Sequence, residues 1–257
     1  MTKKKQNEAT INQTNNNHLL FTPERKVVDT QEAEKMVLRC AEYNSSRSDA
    51  RNFRCMEFKG IKFVGEDLSN IEAHYSHFED VEFVNCKLSG MEAYFSSWHN
   101  VIFTNCEISN CNFSFAEIAN CSVFNSNLNG TDFPFARGNF GVNGSMMENV
   151  TCNNATLQLH LVNANARGFE GNCSKIDFAE CTGCNLRRAE LNDSTVTGNI
   201  TNSCLVNAEL NRSDISGLEI GEDCATSGME TEDSSVNIDF DKALDEALSE
   251  LEEGLED

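Results

Sequence analysis

The decisive stretch of this sequence is VEFVNCKLSGMEAYFSSWHN (81–100) followed by VIFTNCEISNCNFSFAEIAN (101–120), in which an apolar residue recurs at every fifth position. The same phase runs from Phe53 to Phe133, and all 17 of its positions are apolar in a chain that is 39% hydrophobic. Chance would produce such a run about once in 10^7 sequences. A period of five fits neither the 3.6-residue period of a helix nor the two-residue period of a strand. It therefore indicates a structural repeat.

A longer period of twenty lies over the short one, because Ile61, Val81 and Val101 begin blocks of the same pattern. Four pentapeptides then make one coil, and most apolar centres have a smaller inward-facing residue two positions earlier. Coils stacked at the strand spacing of roughly 4.8 Å would bury equivalent centres as columns. The sequence therefore predicts an all-β solenoid.

Several segments resemble the pentapeptide-repeat family, whose loose consensus is a small residue, Asp or Asn, Leu or Phe, and two polar residues. The best matches begin at Thr131, Cys184, Ala189, Ala208 and Ser213. The resemblance implies a right-handed quadrilateral β-helix, here of about eight coils over residues 51–221. The predicted core residues are Phe53, Phe58, Phe63, Leu68, Phe78, Phe83, Leu88, Trp98, Phe103, Ile108, Phe113, Ile118, Val123, Leu128, Phe133, Leu186, Leu191, Leu210 and Ile215.

Flanking segments divide the rest of the chain. Residues 1–17 are polar and Asn-rich and are predicted to be a disordered leader. Residues 18–50 are predicted to form an N-terminal cap with a helix at about 30–43, begun by Asp29 or Thr30 and placed over the open end of the solenoid. Residues 222–237 are predicted to be an acidic linker, and residues 238–257 an acidic amphipathic helix.

Two surfaces are candidates for partner binding. The repeat is interrupted at about 134–141 and 163–173, and loops on a regular solenoid often carry binding residues, although imperfect packing explains the interruptions equally well. Their candidate residues are Arg137, Arg167, Phe169 and Glu170. The C-terminal helix would either cap the solenoid or bind a basic-rimmed groove. Its candidate residues are Phe240, Leu244, Leu248, Leu251, Leu255, Glu250, Glu252 and Glu253.

The sequence contains no recognisable catalytic constellation, and we expect a non-enzymatic protein without cofactor or metal. The 12 cysteines mostly occupy the small inward position, which favours free buried thiols over disulfides. The CxxC pair Cys181 and Cys184 also falls on repeat positions. His74, His77 and His99 could share one face, but adjacent surface histidines arise easily without a metal.

The net charge of −21 argues against direct binding of nucleic acid. Residues 222–257 contribute −13 of it, residues 51–221 contribute −9, and residues 1–50 contribute +1. No apolar run approaches the roughly 20 residues of a membrane-spanning helix, and the N-terminus lacks the apolar core of a secretory signal. We therefore expect no membrane insertion and a cytoplasmic location in a bacterial or phage-infected cell.

Two functions remain open for a protein-binding rod. Some proteins of the family that it resembles bind type II topoisomerases in place of DNA, which implies an acidic decoy acting on a DNA-handling enzyme. Alternatively, the chain is an effector or adaptor delivered into a host cell, with translocation signals in its Asn-rich start and Glu-rich end. An open β-helix end would also permit a homodimer. A decoy requires acids aligned along one face at the coil spacing.

Overall fold

The computed structural model describes residues 25–33 and 52–235. Residues 52–235 form a parallel β-solenoid in which short strands stack coil upon coil. The strands are β1 (Lys26–Val28), β2 (Met56–Lys59), β3 (Lys62–Val64), β4 (His77–Glu79), β5 (Glu82–Val84), β6 (Ser97–His99), β7 (Ile102–Thr104), β8 (Glu117–Phe124), β9 (Arg137–Asn143), β10 (Thr156–Val162), β11 (Lys175–Thr182), β12 (Thr195–Thr201) and β13 (Asp214–Ile220).

The register between coils follows the 20-residue period of the sequence. Phe58 pairs with Phe78, and Phe78 pairs with Trp98, while parallel bridges outside the strands join the other sides of the coil. Every backbone hydrogen-bonding group can thus pair with the coil above or below, which satisfies the chain without long strands. The predicted β-solenoid of about eight coils is confirmed.

Corners divide each of the early coils into four sides. They are residues in the left-handed backbone region, as shown by Tyr75, Asp80, Asn85 and Gly90 in one coil, with φ between 55° and 71°. Asn, Asp and Gly predominate at these positions, because they adopt that region at the lowest cost. The polar residues between the apolar centres therefore set the corners of the quadrilateral.

The core consists of the predicted columns. All predicted core residues are buried, and the side chains of equivalent coils stack face to face. Phe58 and Phe78 have ring centroids 4.9 Å apart, and Phe78 and Trp98 have centroids 4.0 Å apart. Stacking at the coil spacing thus supplies aromatic contacts in addition to hydrophobic burial.

The interruption predicted at 134–141 is not a projecting loop. Ile118 pairs with Gly138 at a 20-residue interval, whereas Cys121 pairs with Phe140 at a 19-residue interval. The missing residue removes one left-handed corner, and β9 to β13 run continuously through that position. At the inward position where the preceding coil has the small residue Cys121, this coil has the large residue Phe140. The sequence period broke because the coil lost a corner.

The interruption predicted at 163–173 is also an ordinary coil. Asn165 and Glu170 make parallel bridges to the coils on both sides. The five-residue pattern fails in this coil because a large and a small inward residue have changed places. Phe169 stands at the inward position that is usually occupied by a small residue, and Gly171 stands at the adjacent centre. A Cβ placed on Gly171 would lie 3.4 Å from the Phe169 ring. The proposal that Phe169 contacts a partner was wrong, because its side chain is fully buried.

The N-terminal segment covers the first coil. β1 pairs with β2, and Val28 and Ala33 are buried against the core. Asp29 begins a helical turn at residues 30–33, because its carboxylate accepts a hydrogen bond from the Glu32 backbone N–H at 2.8 Å. Residues 34–43 of the predicted helix lie outside the described residues.

At the other end, the solenoid does not stop at residue 221, where the sequence analysis placed a linker. Ala225, Glu230 and Ser235 make parallel bridges to Cys204, Glu209 and Asp214 of the preceding coil. Residues 222–235 therefore follow three sides of a further coil. The predicted leader, the rest of the predicted linker and the acidic helix lie outside the described residues.

Candidate functional site

Acidic side chains line one side of the solenoid from end to end. A single ladder of parallel bridges links ten equivalent positions at intervals of 19 to 21 residues, and seven of them are acidic. We call these seven residues the acidic column: Glu72, Glu92, Asp132, Glu170, Glu190, Glu209 and Glu230. The uncharged positions of the ladder are Asn52, Asn112 and Thr151. Six of these acids, all but Glu230, lie immediately before a buried centre, so their side chains point outward.

The acidic column is largely free of neutralising cations. Within residues 52–235, its ion pair is that of Glu72 with Arg54 at 3.6 Å, and the other six acids have no cationic side chain within 4 Å. Neighbouring neutral groups donate to some of them: Asn112 to Glu92 at 3.2 Å and Thr151 to Asp132 at 2.7 Å. By contrast, Lys59 and Lys62 neutralise Glu79 and Glu82 on other sides. The column therefore presents uncompensated negative charge to solvent.

A row of aromatic side chains stands at the corner beside the acidic column. We call Tyr75, Phe95, Phe115 and Phe135 the aromatic ladder. Their successive ring centroids are 5.4, 4.7 and 4.7 Å apart, with interplanar angles of 10° or less. The three phenylalanines are 46–48% exposed, whereas the phenylalanines of the inward columns are buried. A run of exposed stacked rings is characteristic of interaction surfaces.

The backbone makes this ladder more unusual. All four residues adopt left-handed φ values between 55° and 59°, and no other described corner carries an aromatic residue with such a φ. Bulky residues avoid this region, at a cost of order 1–3 kcal/mol each. At the same corner of later coils, Asn154 and Asp193 adopt this conformation with less strain. The four residues of the aromatic ladder therefore carry a local cost in backbone conformation.

The candidates from the interrupted segments do not form one site. Arg137 lies on β9, Arg167 lies on another side, and Glu170 belongs to the acidic column. Arg167 instead shares a surface depression with Arg187 and Arg188. The predicted helical candidates from Phe240 to Leu255 lie outside the described residues.

The histidines are held by stacking and by neighbouring polar groups. His74 is buried and stacks on Tyr94 with centroids 3.6 Å apart, contrary to the outward position expected from the repeat. His77 and His99 make an edge-to-face contact at 5.1 Å. Burial, aided by the nearby Arg54 charge for His74 and the Arg25 charge for His77, lowers the pKa of both. In the described part of the chain, no cluster of three His, Cys, Asp or Glu side chains is arranged to hold a metal ion.

The cysteines of the described residues are free thiols, most of them buried in the inward columns. Cys181 and Cys184 are both buried, as the packing interpretation predicts. Burial raises the pKa of Cys111 to about 12 and that of Cys121 to about 11. Such thiols serve as small apolar side chains, since the reactive thiolate is suppressed at neutral pH.

No helix within residues 25–33 or 52–235 is long and apolar enough to span a membrane.

The sequence analysis did not identify the acidic column or the aromatic ladder, although both follow the repeat. Each occupies a fixed position relative to the buried centre, and both are apparent once the coils are aligned. Alignment at a constant 20 residues fails after Ile118, where the coil shortens to 19 residues. The acids beyond that point then appear scattered.

Comparisons with known proteins match the fold. No family model matches the sequence, and no curated protein matches it. Solved structures with a similar fold include trypsin-treated R167E QnrB1, a plasmid-mediated fluoroquinolone resistance protein, at 13% identity and a TM-score of 0.34, covering 77% of this chain and 91% of that chain. They also include HetL, a pentapeptide repeat protein involved in heterocyst differentiation regulation from the cyanobacterium Nostoc sp. strain PCC 7120, at 13% identity and a TM-score of 0.27. That match covers 77% of this chain and 92% of HetL. The solved structural neighbours are pentapeptide-repeat proteins, as the repeat of this chain predicts.

Proposed function

We propose that this chain is a protein-binding rod whose acidic column occupies the DNA-binding surface of a DNA-handling protein, such as a type II topoisomerase. The carrying observation is the alignment of Glu72, Glu92, Asp132, Glu170, Glu190, Glu209 and Glu230 in one bridged ladder. This is the arrangement that a decoy requires. The family that the sequence resembles supplies the precedent of topoisomerase binding.

The charge spacing supports the proposal. Ten ladder positions span nine steps, or about 43 Å at roughly 4.8 Å for each step. Seven acids over that length give about one charge for every 6 Å. One strand of duplex DNA carries a phosphate for about every 3.4 Å of axis. The column thus provides about half the charge per unit of axial length of one DNA strand.

Side-specific charge also favours this face. Glu232 and Asp233 lie at the corner that follows the acidic column and add to its negative potential, whereas Asp193 at the same corner is paired with Arg212 at 2.7 Å. Arg167, Arg187 and Arg188 line one depression at the turn that precedes the column, so their positive charge is confined to that edge. A field concentrated along one face steers a basic partner to that face. The rod therefore has a defined docking side rather than a uniform charge.

The test uses the full chain and purified bacterial type II topoisomerase. The column variant is Glu92→Gln/Glu170→Gln/Glu190→Gln, and the matched control is Glu107→Gln/Glu180→Gln/Glu219→Gln, which removes three acids elsewhere. We expect the native chain and the control to bind and to compete with duplex DNA, with affinity that falls as salt rises. The column variant should bind at least tenfold more weakly. Equal losses in both variants would show that net charge, not the column, governs binding.

A truncation separates the rod from its tail. Ending the chain after Ser235 retains the bridged coil that a cut at Gly221 would remove. Undiminished topoisomerase binding by this shorter chain supports the column as the binding site. Binding that disappears with residues 236–257 would instead support the tail as the partner-binding element.

A further inference from the structure

From the spacing of its rings and the charge beside them, we infer that the aromatic ladder is a docking site for a basic amphipathic helix of about three turns. This inference rests on the proposed protein-binding function and names the chemistry of the partner at that face. The ladder consists of Tyr75, Phe95, Phe115 and Phe135, which form one continuous stack along the solenoid axis.

The ring spacing selects a helix. Successive centroids lie 4.7–5.4 Å apart, so the four rings extend over about 15 Å. Residues on one face of a helix recur at three or four positions, which corresponds to about 4.5–6 Å at 1.5 Å of rise for each residue. Residues on one face of an extended strand recur at about 6.6 Å and would lose register with the rings. A helix of about ten residues, lying along the ladder, matches its length and period.

The charges flanking the ladder select a basic helix. Glu92 and Asp132 belong to the acidic column on one side of the ladder, each without a cationic partner within 4 Å among residues 52–235. On the other side Glu117 pairs in register with Arg137, so the free negative charge lies on the column side. Lysine or arginine on the helix flanks would pair with the acids of the column, while aliphatic side chains cover the exposed ring edges. A second copy of this chain would bring the same acids together, which repulsion disfavours.

The backbone conformation argues that the rings serve binding rather than folding. The left-handed corner held by Phe95, Phe115 and Phe135 is filled by Asn154 in the next coil and by Asp193 further along. Replacing them by Asn relieves backbone strain and permits the side-chain contacts that Asn makes elsewhere, as between Asn105 and Asn85 at 3.2 Å. The substitution therefore removes the exposed aromatic surface while preserving the fold.

The experiment measures two synthetic 14-residue helical peptides against the full chain by fluorescence anisotropy. Both carry the same lysines on their flanks; one has leucines at positions spaced by three and four along one face, and the other has alanines there. We expect the leucine peptide to bind about tenfold more tightly than the alanine peptide. In Phe95→Asn/Phe115→Asn/Phe135→Asn the ratio should fall to about one, with the alanine peptide unaffected.

A matched control removes exposed apolar surface elsewhere. Val64→Thr/Ile102→Thr/Phe124→Thr alters side chains that are also exposed but lie on another side of the rod, and it should retain the tenfold ratio. Circular dichroism should show that both triple variants fold. A ratio of about one with the native chain, or a ratio that survives the ladder substitutions, would overturn the inference. Preference for leucine in a chain that fails to bind topoisomerase would contradict the decoy function alone.

Discussion

Exchanging the inward residues at 169 and 171 tests the packing of the irregular coil. Phe169→Ala deletes a fully buried ring and should destabilise the fold by about 3–5 kcal/mol. Gly171→Phe should cost about 1–3 kcal/mol through overpacking, because a Cβ there would already lie 2.8 Å from Leu191 Cδ2 and 3.4 Å from the Phe169 ring. The double variant Phe169→Ala/Gly171→Phe places a small inward residue two positions before an aromatic centre. This is the arrangement of Cys111 and Phe113 in a regular coil.

The two substitutions should therefore compensate one another. We expect the double variant to be more stable than Phe169→Ala alone, with a favourable coupling free energy of about 2–3 kcal/mol. Urea unfolding followed by circular dichroism at 25 °C gives the four free energies of the cycle. Phe169→Ala combined with Leu68→Ala, several coils away, is the control and should be additive within about 0.5 kcal/mol. Additive losses at 169 and 171 would refute the exchange of volume.

Further predictions concern the backbone, pH and thiols. Gly138→Ala should strongly destabilise the solenoid, because Gly138 has a φ of 128° and an added Cβ would lie 1.6 Å from a backbone oxygen. The control Gly141→Ala should melt at the same temperature as the native protein, because the nearest atom to its added Cβ would be 3.7 Å away. Burial lowers the pKa of His74, so the unfolded state binds the proton more readily and stability should fall as pH drops below the ordinary value of 6.5. His74→Gln should weaken that dependence in unfolding titrations; an unchanged slope would exclude His74 as a cause. In the native protein at pH 8, an alkylating reagent should modify the exposed thiol of Cys173 well before the buried thiol of Cys111, because burial raises the pKa of Cys111 to about 12. Mass spectrometry measures both rates, and comparable rates would contradict the burial of Cys111.

The period of the early coils was predictable because it is a local property of the chain. Each pentapeptide turns one corner and directs one side chain inward, so the sequence identified Phe58, Phe78 and Trp98 as stacked centres without knowledge of other contacts. The same reasoning failed at Phe169 and Gly171, because only the three-dimensional core shows that volume missing at one inward position is supplied by another.

The candidate site depended on alignment between coils. A shortening by one residue after Ile118 changes the partner of every later position, and further shifts follow between Leu159 and His160 and between Phe178 and Cys181. The number of acidic residues is known from the sequence, but the side of the rod on which each one lies is not. The aromatic ladder was hidden for a related reason, since Phe95 and Phe115 occupy positions that the repeat treats as polar.

The amino-acid sequence by itself determined the solenoid, its inward columns, its free thiols and its negative charge, because these follow from a five-residue pattern and from composition. Only the tertiary structure decided the length of each coil, the extension of the solenoid to Ser235 and the gathering of Glu92, Glu170 and Glu190 into one column. The physical reason is register: parallel hydrogen bonding between residues 19 to 21 apart selects which surface residues become neighbours.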